Sequence, residues 1–525
     1  MSSTSRGYGA LAGITAAAVA VGSAELVAVG TGARSAPLVA VGGVVVDAVP
    51  EPAKQFAIDL FGVYDKVALL VGTAVLLGVF AALIGILAAR RLAAGLTGVA
   101  LFAVVGVTAA LTRPGATLPA ALPSLLGALL GGLVLWLLVA GPLEPAPWPT
   151  AGAAEPGAGT GVPSTGDNPS PEGRRRFLTG TGLLVGAAAL SGVGGRWLAG
   201  RRGVAEARSA LTLPAPVSPA PPVPAGADLS LTQLAPYTTS NAAFYRIDTA
   251  LAVPQVDLET WRLRIHGRVR NPLTLSFAEL LARPMVERYI TLACVSNEVG
   301  GDLVGNARWL GVPIGELLDE VEPLDGADQV VGRSVDGWTC GTPTEVLRDG
   351  RDALLAVGMN GEPLPVEHGF PVRMVVPGLY GYVSACKWLV ELELTSFADF
   401  DAYWVPRGWS ARGPIKTQSR IDVPRPRNRL TAGPVTVAGV AWAQHVGIAR
   451  VEVRVDGGPW QLATLAPAVS ADTWVQWSWQ WAASAGEHTL EVRATDPTGA
   501  VQTDRRRPVA PDGATGWHRV TVTVR

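Results

Sequence analysis

Four runs of roughly twenty apolar residues precede Gly141: Tyr8–Gly30, Val67–Ala89, Leu92–Leu111 and Ala120–Ala140. A helix of about that length crosses a bilayer core of about 30 Å, so residues 1–141 are expected to form a four-helix membrane region. Pro37–Pro50 is apolar but too short to span, and reads as a re-entrant or interfacial segment. Glu25 lies inside the first run, near its end, so a functional intramembrane carboxylate and a solvated one are both open readings. Arg90 and Arg91 join the second and third runs, and Arg174, Arg175 and Arg176 come after the fourth. Basic loops stay inside, which places these arginines and the N-terminus in the cytoplasm.

Residues 142–173 are Pro, Gly, Ala, Thr and Ser with no means to build a core, a flexible cytoplasmic linker. Residues 174–200 run from the arginines through Phe177 and Leu178 into weakly apolar, Gly-rich sequence. That order resembles a twin-arginine export signal placed inside the chain; a plain anchor for a fifth helix is the alternative. Both put the chain beyond Arg201 outside. Ala205-Glu206-Ala207 is a weak cleavage site, and retention as a fifth membrane helix is the preferred reading.

Beyond these segments the composition becomes that of a globular protein. The formal net charge of −1 over 525 residues leaves no electrostatic footprint for nucleic acid. Residues 201–227 read as a Pro/Ala linker holding the rest off the membrane. Residues 228–411 read as an α+β domain: Trp261–Gly267 alternates as a strand, and Phe277–Arg283 and Pro313–Val321 as short helices. In residues 424–525, Val435–Trp442, Ile448–Val455, Trp460–Leu465, Thr473–Trp481, His488–Thr495 and Trp517–Val524 alternate apolar and polar. Turn sequences at Asp456–Pro459 and Asp496–Gly499 separate them, as in a β-sandwich. The fold class is therefore multi-domain: membrane helices, an α+β domain and a C-terminal sandwich.

The chemistry centres on a cysteine. There are three, Cys294, Cys340 and Cys386, too few and odd in number for a disulfide framework. Cys340 reads as an inert core thiol, and a Cys340–Cys386 disulfide is conceivable outside the cytoplasm. Cys294 ends the β-branched, apolar Tyr289–Ala293 stretch, and a thiol at a strand end suits a soft metal. The segments His368–Arg373 and Ser384–Trp388 each set polar groups beside a short apolar strand. All five histidines (His266, His368, His445, His488, His518) lie after the membrane runs, which contain neither His nor Cys. No haem or iron–sulfur cluster is expected in this chain.

Asn241 with Phe244-Tyr245 after it, the strand-end Cys294, the His368-Gly369-Phe370-Pro371-Val372-Arg373 run and Lys387-Trp388 occur in one order and at one spacing. Together they resemble the molybdopterin-binding domain of the sulfite oxidase family, in a membrane-anchored form of actinobacterial type. The resemblance continues to the C-terminus, where Val437–Trp442 and Val451–Gly458 are similar to the family's immunoglobulin-like dimerisation domain.

The resemblance implies molybdenum carried on one molybdopterin and bound by the Cys294 thiolate, with Cys294 and Arg246 as the catalytic pair. It implies that Asn241, Phe244, Tyr245 and Arg246 line the pterin, and that Ser334 contacts the cofactor. His368 and Arg373 would hold the pterin and its phosphate, and Ala385, Cys386 and Lys387 would close over the phosphate end. It further implies a possible homodimer and a separate electron-transfer partner, a quinone or cytochrome system. Such a cofactor is inserted in the cytoplasm, so export of the folded protein by the twin-arginine route fits.

One departure concerns substrate. In animal and plant sulfite oxidases a Gly-Asn-Arg-Arg run comes after the cysteine. Here Val295-Ser296-Asn297-Glu298-Val299 stands in its place, keeping Asn297 and losing both arginines. Glu298 should repel a small dianion, with Arg246 or Arg308 as compensation, and the leading segment is nearer to the bacterial periplasmic methionine-sulfoxide reductases. The expected activity is oxygen-atom transfer on a small molecule outside the cytoplasmic membrane, with S- or N-oxide reduction preferred to sulfite oxidation. A non-catalytic surface scaffold is the rival. A transporter is disfavoured by the few helices and sparse intramembrane charge.

Overall fold

The structure, a computed structural model, describes residues 3–49, 60, 65–113, 116–145, 171–201 and 204–525. Most of the expected 142–173 linker lies outside the described residues. The chain divides into two compact units, residues 1–203 with 250–253, and residues 204–249 with 254–525.

The first unit contains α1 (Ser3–Thr31), α2 (Pro37–Ala48), α3 (Asp65–Ala88), α4 (Leu92–Leu111), α5 (Leu122–Val139) and α6 (Pro171–Arg201). Five segments are long and apolar enough to cross a membrane: Arg6–Thr31, Ala68–Ala88, Leu92–Leu111, Leu118–Val139 and Pro171–Gly195. The α2 helix is apolar and short, as Pro37–Pro50 was expected to be. Small residues let α1 approach its neighbours at backbone distance. A Cβ added to Gly13 would lie 1.9 Å from Ala81 O of α3, and one on Gly22 2.4 Å from Ala188 O of α6. A Cβ on Gly127 of α5 would lie 2.5 Å from Ala20 O of α1. In a bilayer, whose lipid tails are as apolar as leucine, such close packing and not hydrophobic burial would hold helices like these together. Val75, Leu76, Leu83, Leu101 and Val104 correspondingly face outward. The three arginines of the export-like motif are exposed on the first turns of α6, while the adjacent Phe177 is buried edge-on to Tyr8, with ring centroids 5.1 Å apart.

The second unit begins with α7 (Ala205–Ala210) and holds nineteen strands among its described residues. One mixed sheet has the order β2-β1-β10-β5-β6, built from β1 (Arg262–Gly267), β2 (Leu273–Ser276), β5 (Gln329–Ser334), β6 (Thr339–Pro343) and β10 (Leu389–Thr395). Leu263 and Ile265 of β1 point into the core and their neighbours outward, the alternation a half-buried strand requires. A second sheet, β3-β4-β7-β8 with β9 on β7, comprises β3 (Val286–Ala293), β4 (Val304–Pro313), β7 (Leu354–Met359), β8 (Glu362–Pro363) and β9 (Arg373–Val375). Two short helices lie between strands. In α8 (Phe277–Leu281), Ser276 and Glu279 form a reciprocal capping box that fixes the start. In α9 (Ile314–Val321), Ile314, Leu317, Leu318 and Val321 bury one face.

The C-terminal sandwich pairs the sheet β11-β13-β17-β16 with β12-β19-β18-β14-β15. The first comprises β11 (Gln418–Val423), β13 (Gly433–Trp442), β16 (Thr464–Leu465) and β17 (Val475–Ala483). The second comprises β12 (Arg429–Leu430), β14 (Arg450–Val455), β15 (Gln461–Leu462), β18 (Gly486–Thr495) and β19 (His518–Val524). Val437, Val451, Trp477, Leu490 and Val492 fill the space between them. The sandwich takes in β11, which lies ahead of the boundary expected at residue 424.

The segment expected as a stand-off linker behaves otherwise. Val204 joins the α+β core, and Arg208 donates to the carbonyls of Pro363 and Leu364 at 2.7 and 2.8 Å. Val217 N–H donates to Met285 O, and Glu287 N–H to Ser218 O. Residues 204–218 are thus a strap bound to the domain, because extended backbone beside the start of β3 finds partners there that solvent would otherwise supply.

Candidate active site

β3 delivers Cys294. Ile290, Leu292 and Ala293 are fully buried, so the chain leaves the sheet with its thiol on the core side, 8% exposed. The loop after it closes on itself: Cys294 N–H donates to Leu303 O (2.9 Å), Asn297 N–H to Cys294 O (3.1 Å) and Gly301 N–H to Glu298 O (2.8 Å). Leu303 N–H completes the loop by donating to Asn297 Oδ1 (2.9 Å). Burial pushes the Cys294 thiol above its ordinary pKa, against a 3.4 Å bond from Ser296 N–H and the nearby Lys387 charge. The thiol on its own therefore stays protonated at neutral pH, and a directly bound cation is what would make it a thiolate.

Aromatic and cationic side chains converge on this strand end. A Cβ added to Gly381 would stand 3.6 Å from Ala385 Cβ, 3.8 Å from Ala293 O and 4.0 Å from Tyr245 Oη, so these groups meet at the strand end just before Cys294. Burial, then the neighbouring Cys294, raises the pKa of the Tyr245 phenol. Phe244 stacks on Tyr245 and meets Trp309 and His368 edge-on. His368 Nε2 bonds Asn241 O at 3.0 Å, tying the leading segment to the His368–Arg373 turn. Burial, with Arg373 beside it, pulls His368 down to a pKa of about 4. The ring is neutral at pH 7 and carries its proton on Nε2, since Asn241 O can only accept. Asn241 itself donates to Met359 O and accepts from Asn360 Nδ2.

Arg373 is 5% exposed and lies over Trp309, 5.0 Å from the ring centroid. It donates to His368 O at 3.1 Å, and burial pulls its pKa to about 10. Among the described residues no carboxylate pairs with it. Lys387 is also buried, with its pKa pulled to about 8 by desolvation. Its Nζ lies 2.8 Å from Asp248 Oδ2 and 4.7 Å from the Trp388 ring centroid. Trp388 adopts φ +51°, rare for a bulky residue, and is held by its indole N–H on Val366 O. Arg246 pairs with the same Asp248 oxygen at 2.8 Å and is the more open of the two cations.

Two of the expected residues engage their side chains elsewhere. Cys386 turns its sulfur into the core beside Cys340 and Met374; a Cβ on Gly332 would be 2.7 Å from Met374 Sδ, 3.1 Å from Cys340 Sγ and 3.3 Å from Cys386 Cβ. Both thiols are free, so the conceivable disulfide is not formed. Ser334 spends its hydroxyl on its own turn, accepting from Asp336 N–H, while its neighbour Val335 donates to Trp388 O. Asp248, Trp309 and Gly381 were not anticipated. Asp248 had one legible sign, a carboxylate two positions from Arg246.

Glu298, expected to repel anions, is exposed. A second cluster of metal-ligating types, His266, Glu391 and Glu393, lies elsewhere, but Arg264 and Arg333 already pair with Glu391.

The donor set indicates what would fit. A buried soft donor, a buried guanidinium with no carboxylate partner among the described residues, and a buried ammonium belong to one set of interacting groups. A soft metal carried on an anionic ligand satisfies donor and cations alike.

Comparison with known proteins agrees. Residues 250–404 match the family Oxidoreductase molybdopterin binding domain, and residues 418–492 match Bacterial Ig domain. The chain is 30% identical over 337 residues to the sulfite oxidase of Gallus gallus, covering 54% of this chain and 72% of that protein. It is 30% identical over 340 residues to the mitochondrial sulfite oxidase of Macaca fascicularis, covering 55% of this chain and 62% of that one. A protein of Bacillus subtilis, Uncharacterized oxidoreductase YuiH, is 34% identical over 157 residues, covering 30% of this chain and 76% of that protein.

Proposed function

Because this chain belongs to the sulfite oxidase family of molybdopterin oxidoreductases, we propose that it transfers an oxygen atom to or from a small substrate, with sulfite oxidation as the first reading. The observation that carries it is the buried Cys294 thiol and the buried Arg373, which has no carboxylate partner among the described residues, with Tyr245 electrostatically influenced by both. Cys294 would bind the molybdenum. Asn241, Phe244, Tyr245 and His368 would line the pterin. Arg373 and Lys387 would hold its phosphate, assisted by the backbone of Ala385 and Cys386 and the turn at Ser334. When bound, the cofactor supplies the two-electron oxo-transfer chemistry. The protein's part is to fix and neutralise: His368 pins Asn241, Asp248 aims Lys387, and Arg246 is the cation open enough to meet substrate.

The preference for S- or N-oxide reduction draws on Glu298 and Val299 standing where animal and plant members of the family have two arginines, and in part on repulsion by Glu298. An exposed carboxylate is screened by water and salt, so that repulsion is small, while Arg246, Lys387 and Arg373 outnumber Asp248 around the site. S- or N-oxide reduction remains the second reading, favoured by the lack of any arginine directly after Cys294. Purified holoprotein should oxidise sulfite with an artificial electron acceptor. Reduction of sulfoxides without sulfite oxidation would reverse the order of the two readings.

The five apolar helices support a multi-pass protein of the cytoplasmic membrane. Arg90, Arg91 and Arg174–Arg176 support cytoplasmic loops there and a catalytic unit on the outer side. Electrons would pass to a separate carrier, a quinone or cytochrome system, and the immunoglobulin-like sandwich supports a homodimer.

A further inference from the structure

The Cys294 loop is held at both ends by the other fold of its unit. Three residues before the cysteine, the fully buried Thr291 donates its N–H to Asp472 O (2.9 Å) and accepts at its carbonyl from Gln444 Nε2 (2.9 Å). Its hydroxyl accepts from Trp474 N–H (2.8 Å) and donates to Asn306 Oδ1 (3.1 Å). Seven residues after the cysteine, Gly301 O accepts from the guanidinium of Arg420 at 2.7 Å. Gly300 needs its glycine: φ is +83°, and a Cβ would lie 2.2 Å from the His518 ring, whose Nδ1 accepts from Ile421 N–H. Arg420, Gln444, Asp472, Trp474 and His518 all belong to the sandwich or its loops.

Arg420 differs from the other contacts because it bridges. It is 8% exposed; one arm of its fork reaches Gly301 while Nε and Nη2 face Asp422, which also accepts from Ala235 N–H. We propose that Arg420 is a positioning residue for the loop that carries Cys294, so that the sandwich sets where the thiol stands. This rests on Cys294 being the metal ligand. A planar two-sided fork can hold Asp422 and Gly301 O together; a lysine ammonium can satisfy one well.

The test compares full-length holoprotein as wild type, Arg420→Lys, Arg420→Ala and Cys294→Ser. It reads hydrogen exchange across residues 295–303, molybdenum content, steady-state kinetics and the Mo(V) paramagnetic resonance spectrum. In Arg420→Ala, loop exchange should rise on the order of tenfold or more, matching loss of a hydrogen bond to a charged group. Its kcat should fall roughly 10- to 100-fold, as for outer-shell partners of metal sites. KM and metal content should hold, the Mo(V) spectrum should shift, and Arg420→Lys should fall between. If Arg420→Ala does not fold, Arg420→Gln takes its place with the same readouts. Wild-type exchange, kcat and spectrum in the folded variant overturn the proposal. Cys294→Ser separates the two ideas. If it leaves the Mo(V) spectrum unchanged, the ligand assignment falls and the proposal with it. If it changes the spectrum while Arg420→Ala does not, positioning alone is refuted.

Discussion

Asp248 and Lys387 form a buried ion pair, Nζ to Oδ2 2.8 Å, with side chains 5% and 10% exposed. Asp248 works against the desolvation that pulls Lys387 to a pKa of about 8. Asp248→Asn removes that support, and Lys387 should then be largely neutral at pH 7. Breaking one side of a buried pair costs about 3–5 kcal/mol, so we expect a lower denaturation midpoint and poor pterin retention. Fluorescent pterin per mole of protein and a urea titration check this.

The same lysine gives a pH signature in cofactor-free protein. Its folded pKa of about 8 lies below the unfolded value of 10.5, so the unfolded chain binds more protons between the two. Stability should rise with pH across that window, and Lys387→Met should flatten the rise. A midpoint series from pH 7 to 10.5 decides it.

At the acid end His368 acts. Its folded pKa of about 4 lies below the unfolded 6.5, so its contribution is full above pH 6.5 and is lost as pH falls toward 4. The shift corresponds to an acid-labile contribution on the order of 3 kcal/mol. His368→Gln should reduce the acid loss while keeping an amide donor for Asn241 O. An unaltered slope between pH 6.5 and 4.5 would count against this account.

Arg373 should behave in opposite ways in the two forms of the protein. A buried cation without a carboxylate partner among the described residues carries a desolvation cost on the order of several kcal/mol that no ion pair offsets in the cofactor-free fold. Arg373→Met should therefore keep or raise the melting temperature of cofactor-free protein and abolish pterin binding. Calorimetry with cofactor analysis of one preparation tests both halves.

Replacing Arg174 and Arg175 with lysine keeps the charge of the α6 start. If the motif directs export of folded protein, holoprotein should stay inside the cell and resist external protease. A plain membrane anchor would tolerate the change.

Much of this was legible because it is local. Apolar run length gave the long apolar helices, and alternation gave β1 and the strands of the sandwich. Cys294 stood out because it follows an apolar, β-branched run and lies where that strand gives way to a loop. What sequence did not reveal depends on distant pairing. Asp248 meets Lys387 across 139 positions, and Arg420 meets Gly301 across 119. The Pro/Ala composition of 211–227 describes coil correctly but says nothing about which carbonyls its N–H groups will find. Cys386 and Lys387 are adjacent, so one faces the site and the other the core, and a motif naming both hides that division. Glu298 was identified by position, whereas its effect depends on exposure.

The bonds that Thr291 makes to Gln444, Asp472 and Trp474 bear on how this protein can be divided. The family matches end at 404 and resume at 418, which invites treating the two folds as interchangeable modules. Cut there, the strand leading to Cys294 would lose the partners of its Thr291 amide and carbonyl and one of the two on its hydroxyl, which would keep only Asn306. The seam is a boundary of ancestry and not of independence: neither half can be exchanged for a foreign one unless the replacement brings matching partners for Thr291.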